Sequence, residues 1–279
     1  MNYYIIPLAF FLLSSFFVKA QDRIITAGSS SSEIVCELGF CDKIIATDRT
    51  SLYPSKLTSL PSIGYRSSIS AEGIISQKPD LVIFEKDYVK DELIAQIKST
   101  GIKTLVVENE GNFESTKARI KAIAAALDQS KEGELLISKI ESDLAVLKQK
   151  VDANQARPTV LCVYARGIGA MQIAGGIDTD FDILELAGAK NALPDVSGYK
   201  PLNAEALIKT NPDYILFFES GLASVGGVDK VLEVTGVAQT TAGKKRQIIA
   251  IDGIKLTNWG PRIAEAAQEL FQLTHPTEE

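Results

Sequence analysis

The sequence predicts an α/β fold of two lobes joined by one long α-helix. Short apolar segments alternate with helical patterns along both halves of the 279-residue chain, which is typical of parallel strands covered by helices. A helical pattern of more than 20 residues separates the two halves. A 16-residue segment of the first half recurs in the second half, which indicates two similar lobes.

The first lobe is predicted to span residues 21–128. Strands are predicted at "RIITAG", "DKIIATD", "DLVIF" and "KTLVVE" because these runs are short, apolar and rich in β-branched residues. Helices are predicted between them at "SSSSEIVCELG", "SAEGIISQKP" and "VKDELIAQIKSTG". In the first of these helices a serine is the N-cap and Gly39 ends the helix. This alternation predicts a parallel sheet with helices on both faces.

The connecting helix is predicted over residues 129–156. Its apolar residues recur every three or four positions and form one face; they are Leu136, Ile140, Leu144, Leu147 and Val151. The segment "ARP" at 156–158 ends the helix. The second lobe, residues 157–279, then repeats the strand–helix rhythm in "TVLCVYA", "FDILELAGAK", "NAEALIKTNP", "DYILFF", "VDKVLEVTG", "RQIIAID" and "PRIAEAAQELFQL".

The internal repeat pairs "ISAEGIISQKPDLVIF", which begins at Ile69, with "LNAEALIKTNPDYILF", which begins at Leu202. Six positions coincide at an offset of 133: Ala71/Ala204, Glu72/Glu205, Ile75/Ile208, Pro79/Pro212, Asp80/Asp213 and Phe84/Phe217. A Gly-Tyr pair precedes both copies. A common helix–strand connector would explain the shared Pro-Asp, but it does not easily explain the shared Ala-Glu and the upstream Gly-Tyr together. Two facing lobes would leave a cleft between them, where ligands usually bind.

The first 20 residues, "MNYYIIPLAFFLLSSFFVKA", have an apolar core and end in a small-x-small pattern. They predict a secretory signal peptide that is cleaved after Ala20, and therefore an exported protein. An uncleaved membrane anchor is the alternative. No cysteine directly follows the cleavage position, so a lipoprotein anchor is not expected.

Charge and histidine content argue against two classes of function. The net charge is −6 and no basic cluster is present, so nucleic acid is not an expected partner. The chain has a single histidine, His275, which is predicted to lie in a solvated tail. Catalysis centred on histidine, and zinc sites that need it, are therefore not expected. The sequence favours a binding protein over an enzyme.

The three cysteines leave two arrangements open. Cys36 and Cys41 could form a disulfide in an exported protein. Because they are five residues apart across a predicted helix end, two separate buried thiols are favoured. Cys162 lies in the apolar run "TVLCVYA" and is predicted to be in the core.

The segment "GYRSSISAEGIISQKPDLVI" resembles the haem-binding periplasmic proteins of bacterial ABC importers, as do "TDRTSLYPSKLTSLPSIGY", "GYKPLNAEAL" and "NWGPRIAEA". The resemblance covers nearly the whole mature chain. It implies the class III periplasmic binding protein fold, with two Rossmann-like α/β lobes joined by one rigid α-helix. It also implies haem as the transported ligand, an inner-membrane ABC permease as partner, and an outer-membrane haem receptor as the source. The alternative is the same fold binding cobalamin or a ferric siderophore.

In that family, a tyrosine at the position of Tyr65 is the axial ligand of haem iron. A phenolate is a hard anionic donor that suits ferric iron. A phenol ordinarily has a pKa of about 10, so a nearby cation is needed to favour the anion; Arg66 and Arg49 are the candidates. The family often places this arginine two residues after the tyrosine, where this chain has Ser67. Neighbouring residues of an extended loop point in opposite directions, which would turn Arg66 away from Tyr65. The alternative is a loop tyrosine that packs on its own lobe.

The other haem contacts that the resemblance implies are Tyr199, Arg166, Met171 and Tyr53. Tyr199 is the repeat counterpart of Tyr65, and Arg166 could pair with a haem propionate. Met171 could pack on the porphyrin or weakly approach the iron. Tyr53, Tyr164 and Trp259 are candidate apolar walls, with core packing favoured for Trp259. Ordinary loop or packing roles are the alternative for these residues.

Glu72 and Glu205 occupy matched positions at the start of two short helices. The resemblance implies that they dock onto arginines of the permease. An acid in the first helical turn also complements the helix dipole, and this is the alternative for each glutamate.

Overall fold

The computed structural model describes residues 22–179 and 181–276. The predicted signal peptide and its cleavage position after Ala20 lie outside the described residues. In the part that is described, no helix is both long and apolar enough to cross a membrane.

The first lobe contains a four-stranded sheet in which every strand pair is parallel. Its strands are β1 (Ile24–Ala27), β2 (Ile44–Thr47), β3 (Leu81–Glu85) and β4 (Lys103–Val107). Its helices are α1 (Ser29–Glu37), α2 (Ala71–Ile75), α3 (Asp91–Ser99) and α4 (Phe113–Ala126). The strand order β2-β1-β3-β4 is that of a doubly wound sheet. The predicted parallel sheet is confirmed here.

The connecting helix, α5, runs over Ser130–Ala153. Its predicted apolar face is turned to the core, with Ile140, Leu147 and Val151 buried. A side chain at Gly133 would place its Cβ 2.5 Å from the Cβ of Ala124. Glycine therefore allows α5 to cross close to α4.

The second lobe contains a mixed sheet. Its strands are β5 (Thr159–Ala165), β6 (Met171–Ala174), β7 (Lys190–Asn191), β8 (Tyr199–Pro201), β9 (Tyr214–Phe218) and β10 (Ile248–Ile251). Its helices are α6 (Ile183–Leu186), α7 (Ala204–Thr210), α8 (Glu219–Val225), α9 (Val228–Leu232), α10 (Thr241–Lys244), α11 (Gly253–Thr257) and α12 (Ile263–Thr274).

One strand of this second sheet, β6, differs from the expected parallel arrangement. The order is β10-β9-β5-β6-β8, and β6 runs antiparallel to both β5 and β8. A tight turn between β5 and β6, closed by the Arg166 N–H donating to the Ala170 carbonyl at 3.0 Å, is the cause. A parallel pair needs a long crossover, which so short a connection cannot provide.

One hydrophobic core extends across both lobes. It includes Ile24 and Ile83 of the first sheet together with Cys162 and Leu216 of the second. Helices α4, α5 and α12 contribute to the same cluster. A shared core of this kind favours a rigid relation between the lobes.

Polar contacts between the lobes surround this core. Arg262 forms a buried, bidentate ion pair with Glu33, with its Nε and one terminal nitrogen 2.8 and 2.6 Å from the two carboxylate oxygens. The Asn258 side-chain amide donates to Ser29 Oγ at 2.6 Å. The Thr116 hydroxyl donates to the carbonyl of Trp259 at 2.5 Å. The segment before α12 is thus fixed onto the first lobe.

The expectation of two separate thiols at Cys36 and Cys41 was wrong, because these residues form a disulfide. Helix α1 ends at Glu37, and Gly39 with a φ of +86° reverses the chain. This left-handed turn returns Cys41 to within 4.0 Å of Cys36, measured between the Cα atoms. Cys162 is fully buried in the core, and burial raises the pKa of its thiol.

His275 is not a free tail residue. It directly follows α12, and its ring stacks on Phe271 with the centroids 4.6 Å apart. The imidazole also lies within hydrogen-bond distance of the Thr274 hydroxyl, at 3.0 Å. It packs at the helix end, as a local cap.

Candidate functional site

The carboxyl ends of the parallel strands in both lobes meet at a cleft. A pocket of about 230 Å³ lies there, between the loops after the first-lobe strands and the segment around α11 of the second lobe. Its lining includes Tyr65, Arg66, Glu85, Tyr88, Asn258 and Trp259. This is the edge at which open α/β sheets bind their ligands.

Tyr65 lies in a loop between β2 and α2, and 43% of its surface is exposed. Its backbone N–H donates to Ser68 Oγ at 2.7 Å, and the Ser68 N–H donates back to the Tyr65 carbonyl at 2.9 Å. The loop is also attached to its neighbour, because the Arg49 N–H donates to the Gly64 carbonyl at 2.8 Å. Tyr65 is therefore an exposed side chain on a fixed backbone.

Arg66 points in a different direction from the one expected for an extended loop. Its φ is +43°, in the left-handed region that few non-glycine residues adopt. The guanidinium carbon consequently lies 5.7 Å from the centroid of the Tyr65 ring. The expectation that Arg66 would turn away from Tyr65 was wrong, because the loop is not extended at this residue.

Tyr88 completes this cluster, although it was not predicted as a site residue. Its ring is 6.4 Å from that of Tyr65 in an edge-to-face arrangement, and 5.2 Å from the Arg66 guanidinium. Its hydroxyl donates to Asp48 at 2.5 Å. Burial raises the pKa of Tyr88, and the Asp48 carboxylate raises it further. Tyr88 is thus a protonated, fixed support for Tyr65 and Arg66.

Asp48 is itself held by the loop that follows β2. It is buried and accepts from the Thr50 N–H at 2.8 Å and the Ser51 hydroxyl at 2.7 Å. Two weak signals in the sequence could have indicated this arrangement. Asp48 directly follows β2, and Tyr88 follows β3 by three residues, so both lie at the carboxyl edge.

Glu85, the last residue of β3, forms part of the pocket floor and is 2% exposed. Its Oε1 accepts from the Ser31 N–H at 2.8 Å. Burial raises the pKa of the Glu85 carboxyl, and the nearby positive charge of Arg119 only partly opposes this effect. The strand was predicted as purely apolar, so a buried acid at its end was not expected.

Arg119 is fully buried behind Glu85, on α4. It donates to the Glu108 carbonyl at 2.7 Å and to Asn109 Oδ1 at 3.2 Å, and it also contacts Ser30 Oγ. Burial lowers the pKa of Arg119. These contacts tie α4 to the loop after β4, which carries part of the pocket lining.

Two other predicted contacts of the first lobe are exposed at this edge. Arg49 is exposed, and its side chain has no ion-pair partner among the residues that the structure describes. Tyr53 is 43% exposed, and the Arg262 guanidinium lies 3.8 Å from its ring centroid. Tyr53 thus lies where the two lobes meet, with one ring face covered by a cation.

The predicted second-lobe contacts gather around Tyr164 on β5. Arg166 Nε donates to the Tyr164 hydroxyl at 2.6 Å. Tyr199, 39% exposed at the start of β8, meets the Tyr164 ring edge-to-face at 6.2 Å. Met171 is half-buried and pairs with Ala165 at the end of β5. Trp259 forms one wall of the pocket and is only 5% exposed.

Glu72 and Glu205 are exposed in the first turns of α2 and α7. The two helices begin alike: Ser70 Oγ accepts from the Gly73 N–H at 3.1 Å, and Asn203 Oδ1 accepts from the Ala206 N–H at 2.7 Å. Each helix leads into the amino end of a parallel strand and so runs antiparallel to it. Their first turns therefore lie at the same edge of the sheets as the cleft.

No cluster of His, Cys, Asp and Glu side chains able to hold a metal ion occurs within residues 22–179 and 181–276. The group at the cleft with the chemistry of a hard iron ligand is instead phenolic. Tyr65 combines exposure, a fixed backbone and a neighbouring guanidinium.

The chain belongs to the periplasmic binding protein family, whose model matches residues 24–254. Its lobes and connecting helix have the class III arrangement of that group. A curated relative, the uncharacterized ABC transporter substrate-binding lipoprotein YvrC of Bacillus subtilis (strain 168), is 26% identical over 92% of this chain and 81% of its own length.

Solved structures give a more specific likeness. The chain is similar to the periplasmic heme-binding protein RhuT from Roseiflexus sp. RS-1 in apo form, with 34% identity, a TM-score of 0.85, and coverage of 91% of this chain and 98% of that chain. It is also similar to the periplasmic heme-binding protein BhuT in complex with two hemes, with 32% identity, a TM-score of 0.84, and coverage of 90% and 97%.

Proposed function

We propose that this chain is a periplasmic haem-binding protein of an ABC importer, with its first lobe, connecting helix and second lobe at residues 21–128, 129–156 and 157–279. It binds haem and carries it to the permease in the inner membrane, and it catalyses no reaction. The observation that carries the proposal is the exposed phenol of Tyr65, fixed at the cleft beside the Arg66 guanidinium. The similarity to heme-binding proteins over nine-tenths of the chain supports it.

Tyr65 binds the ferric iron of haem through its phenolate oxygen. Tyrosinate is an established axial ligand of haem iron. The phenolic proton passes to solvent water when the iron–oxygen bond forms, and the Arg66 guanidinium beside the ring favours the resulting anion. Tyr88 keeps Arg66 in place because its own hydroxyl is engaged by Asp48.

The remaining predicted contacts surround the macrocycle. Arg49 and Arg166 are exposed cations at the cleft edge and can meet the two haem propionates. Tyr53, Tyr199 and Met171 supply apolar surface to the porphyrin faces. The planar, apolar character of the ligand matches these side chains.

Delivery uses the edge that carries Glu72 and Glu205, which face arginines of the permease. Haem reaches the protein from an outer-membrane haem receptor. The signal peptide exports the chain and is removed after Ala20. In this proposal the protein works in the periplasm, between the outer-membrane receptor and the inner-membrane permease.

Titration of purified residues 21–279 with haemin tests the proposed function. The expected result is a shifted Soret band with tyrosinate-type charge-transfer features, both lost in Tyr65→Phe. Tyr214→Phe is the matched control, because Tyr214 is a buried tyrosine at the opposite end of its sheet. Cyanocobalamin and a ferric siderophore are titrated in parallel. Tight binding of either one, without haemin binding, would overturn the proposal.

A further inference from the structure

The internal repeat contains one matched pair of residues that neither the fold nor the proposed haem site fully uses, Ile75 and Ile208. We propose that these two isoleucines are apolar docking contacts for the permease, one on each lobe, which pack on apolar surface beside the permease arginines. The inference rests on the delivery step of the proposed function. It adds an apolar component to docking by the charged pair Glu72 and Glu205.

Most other matched positions of the repeat have structural roles. Phe84 and Phe217 are buried on β3 and β9. The Asp80 and Asp213 N–H groups donate to equivalent carbonyls of the neighbouring chain segments, at 2.8 and 3.0 Å. Two further pairs are small or rigid residues at the helix starts and the connectors, Ala71/Ala204 and Pro79/Pro212. These pairs build the two units and need no partner.

The isoleucines are less well covered than a structural role would require. Ile208 is 48% exposed and belongs to none of the hydrophobic clusters in the described part of the chain. Ile75 is half-buried at the margin of a first-lobe cluster. The residues just before them, Ile74 and Leu207, are buried instead. A single exposed apolar residue is common, but here it recurs at one repeat position on both lobes.

Each isoleucine follows a docking glutamate by three residues. Residues three apart on a helix are neighbours on one face, with about 5–6 Å between their Cβ atoms. Glu72 with Ile75, and Glu205 with Ile208, therefore form two equivalent outer faces on α2 and α7. Side-chain N-caps fix the start of both helices. The two lobes thus present the same acid–isoleucine pair to one partner.

An isoleucine beside each glutamate changes what the charged contact can contribute. An ion pair that stays in water is weak and is screened by salt. Apolar side chains around a charged contact exclude water when two proteins meet, and the ion pair is then stronger. The isoleucine also gains by leaving water, and salt does not screen this gain. The permease surface that fits is an arginine flanked by apolar side chains, presented once to each lobe.

The charge and position of these faces favour the permease over two other occupants. Among the described residues that line the pocket beside Tyr65, neither isoleucine is present, so haem is not the occupant. A second copy of this chain would bring glutamate against glutamate, which opposes self-association through this face.

The experiment measures the dissociation constant between the haem-loaded mature chain and the inner-membrane haem permease of the same organism, reconstituted in lipid nanodiscs. Ile208→Thr keeps a β-branched side chain and should weaken binding by about 3–10-fold, the effect of losing about half of a buried isoleucine. Ile208→Leu keeps the apolar size and should bind as wild type does. Ile75→Thr should cause a smaller loss, because Ile75 is already half-buried. Circular dichroism checks folding, and haemin affinity should be unchanged in all three variants.

Ile177→Thr is the matched control. Ile177 is an isoleucine of the same lobe with 46% exposure. It follows the carboxyl end of β6, which runs antiparallel to β5, and therefore lies at the edge opposite the cleft. This variant should bind the permease as wild type does.

A salt series separates the apolar contribution from the charged one. Between about 0.05 and about 0.5 M sodium chloride, the fold-loss caused by Ile208→Thr should stay constant. The fold-loss caused by replacing both docking glutamates with alanine should decrease over the same range, because added salt already screens their contacts.

Wild-type affinity for Ile208→Thr, or equal losses in Ile208→Thr and Ile177→Thr, would overturn the inference and leave the proposed function intact. A loss in Ile208→Thr that disappears at high salt would also overturn it, because that variant would then act through charge. A wild type that binds haemin but not the permease would overturn the inference together with the delivery step. If wild type binds no haemin while the haem-free chain shows the expected permease series, the haem assignment fails and the inference stands.

Discussion

At the residue scale, the proposed haem site depends on how Arg66 comes to lie beside Tyr65. Arg66 has a left-handed backbone, with a φ of +43°, which turns its side chain toward the Tyr65 ring. In an extended loop the two side chains would point in opposite directions. The left-handed conformation costs about 1–3 kcal/mol for a non-glycine residue and persists where its surroundings enforce it. Here the Ser68 contacts to Tyr65 and the Tyr88 ring enforce it.

The first prediction concerns the charge of Arg66. Arg66→Asn removes the guanidinium but keeps a residue that tolerates the left-handed region. We expect haemin affinity to fall by about 10–100-fold, the range for a lost charge-assisted contact, as measured by spectroscopic titration. Arg246→Asn, in an exposed ion pair of the second lobe, is the control and should leave affinity unchanged. Equal affinities of wild type and Arg66→Asn would contradict a role for Arg66.

The second prediction concerns Glu85 and pH. Burial raises the pKa of Glu85 above the ordinary value of 4.5, so its ionisation costs more in the folded chain than in the unfolded chain. The contribution of the Glu85 carboxyl to the free energy of unfolding is therefore fully present below pH 4.5 and is lost as pH rises through the folded pKa. Glu85→Gln stays neutral and should not show this loss.

Thermal unfolding from pH 4 to pH 8 measures this effect. The melting temperature of Glu85→Gln should match that of wild type near pH 4 and exceed it increasingly toward pH 8. The difference should be about 2–4 °C for each kcal/mol of unfolding free energy that the variant regains. Exposed Glu132→Gln should show no such trend. A gain for Glu85→Gln that is largest at acid pH would refute the direction of the shift.

At the scale of elements, the repeat corresponds to two equivalent units of structure. Strands β3 and β9 begin at Leu81 and Tyr214, which preserves the offset of 133 residues. The helices before them share the side-chain N-cap and the exposed first-turn glutamate. Equivalent surfaces on two lobes suit a partner that contacts both lobes at once.

The third prediction tests these glutamates as docking residues. The double variant Glu72→Ala, Glu205→Ala should bind haemin as wild type does but lose most of its stimulation of ATP hydrolysis by the reconstituted permease, because it lacks the charges that we propose meet the permease arginines. Glu92→Ala with Glu219→Ala is the matched control, since both are exposed acids in first helical turns. Similar losses in the two double variants would indicate a general charge effect and contradict specific docking.

The elements that local pattern controls were predictable from sequence. Helix α5 follows apolar spacing, and the helices α2 and α7 of the repeat begin at side-chain N-caps; both signals involve residues a few positions apart. The antiparallel β6 was missed because a short strand after a glycine-rich turn carries no sign of its direction. The Cys36–Cys41 disulfide was missed because it depends on a left-handed turn at Gly39.

The site was predictable in part, for the same reason. In the structure Tyr65 is exposed, and Arg166 and Tyr199 both contact Tyr164 on one wall of the cleft. The contact of these residues with haem stays a prediction. Tyr88 and Glu85 were missed because their roles come from distant partners. The Asp48 contact to Tyr88 spans 40 residues of sequence, and the Ser31 contact to Glu85 spans 54. No local pattern encodes such pairs.

At the scale of the whole molecule, the lobes are joined by more than the connecting helix. The shared core and the Glu33–Arg262 ion pair both cross between them. A chain held in this way should bind its ligand with little closure of the lobes. It would present the cleft in nearly the same form before and after loading.

The fourth prediction concerns the ion pair between the lobes. Arg262→Met leaves Glu33 buried without its partner and should cost about 3–5 kcal/mol of unfolding free energy, whereas adding Glu33→Leu should restore most of it. Denaturant unfolding measures both variants. Lys148→Met, which removes an exposed ion pair with Asp152, should cost about 0.5 kcal/mol or less. A loss below about 1 kcal/mol of unfolding free energy for Arg262→Met would show that this ion pair contributes little to holding the lobes together.

A crystal structure of residues 21–279 with ferric haem tests the central claim most directly. We expect a macrocycle in the cleft, with its iron bonded to the phenolate oxygen of Tyr65 and the Arg66 guanidinium beside that oxygen. Iron bound to any other first-lobe atom, or haem held outside the cleft with Tyr65 free, would contradict it.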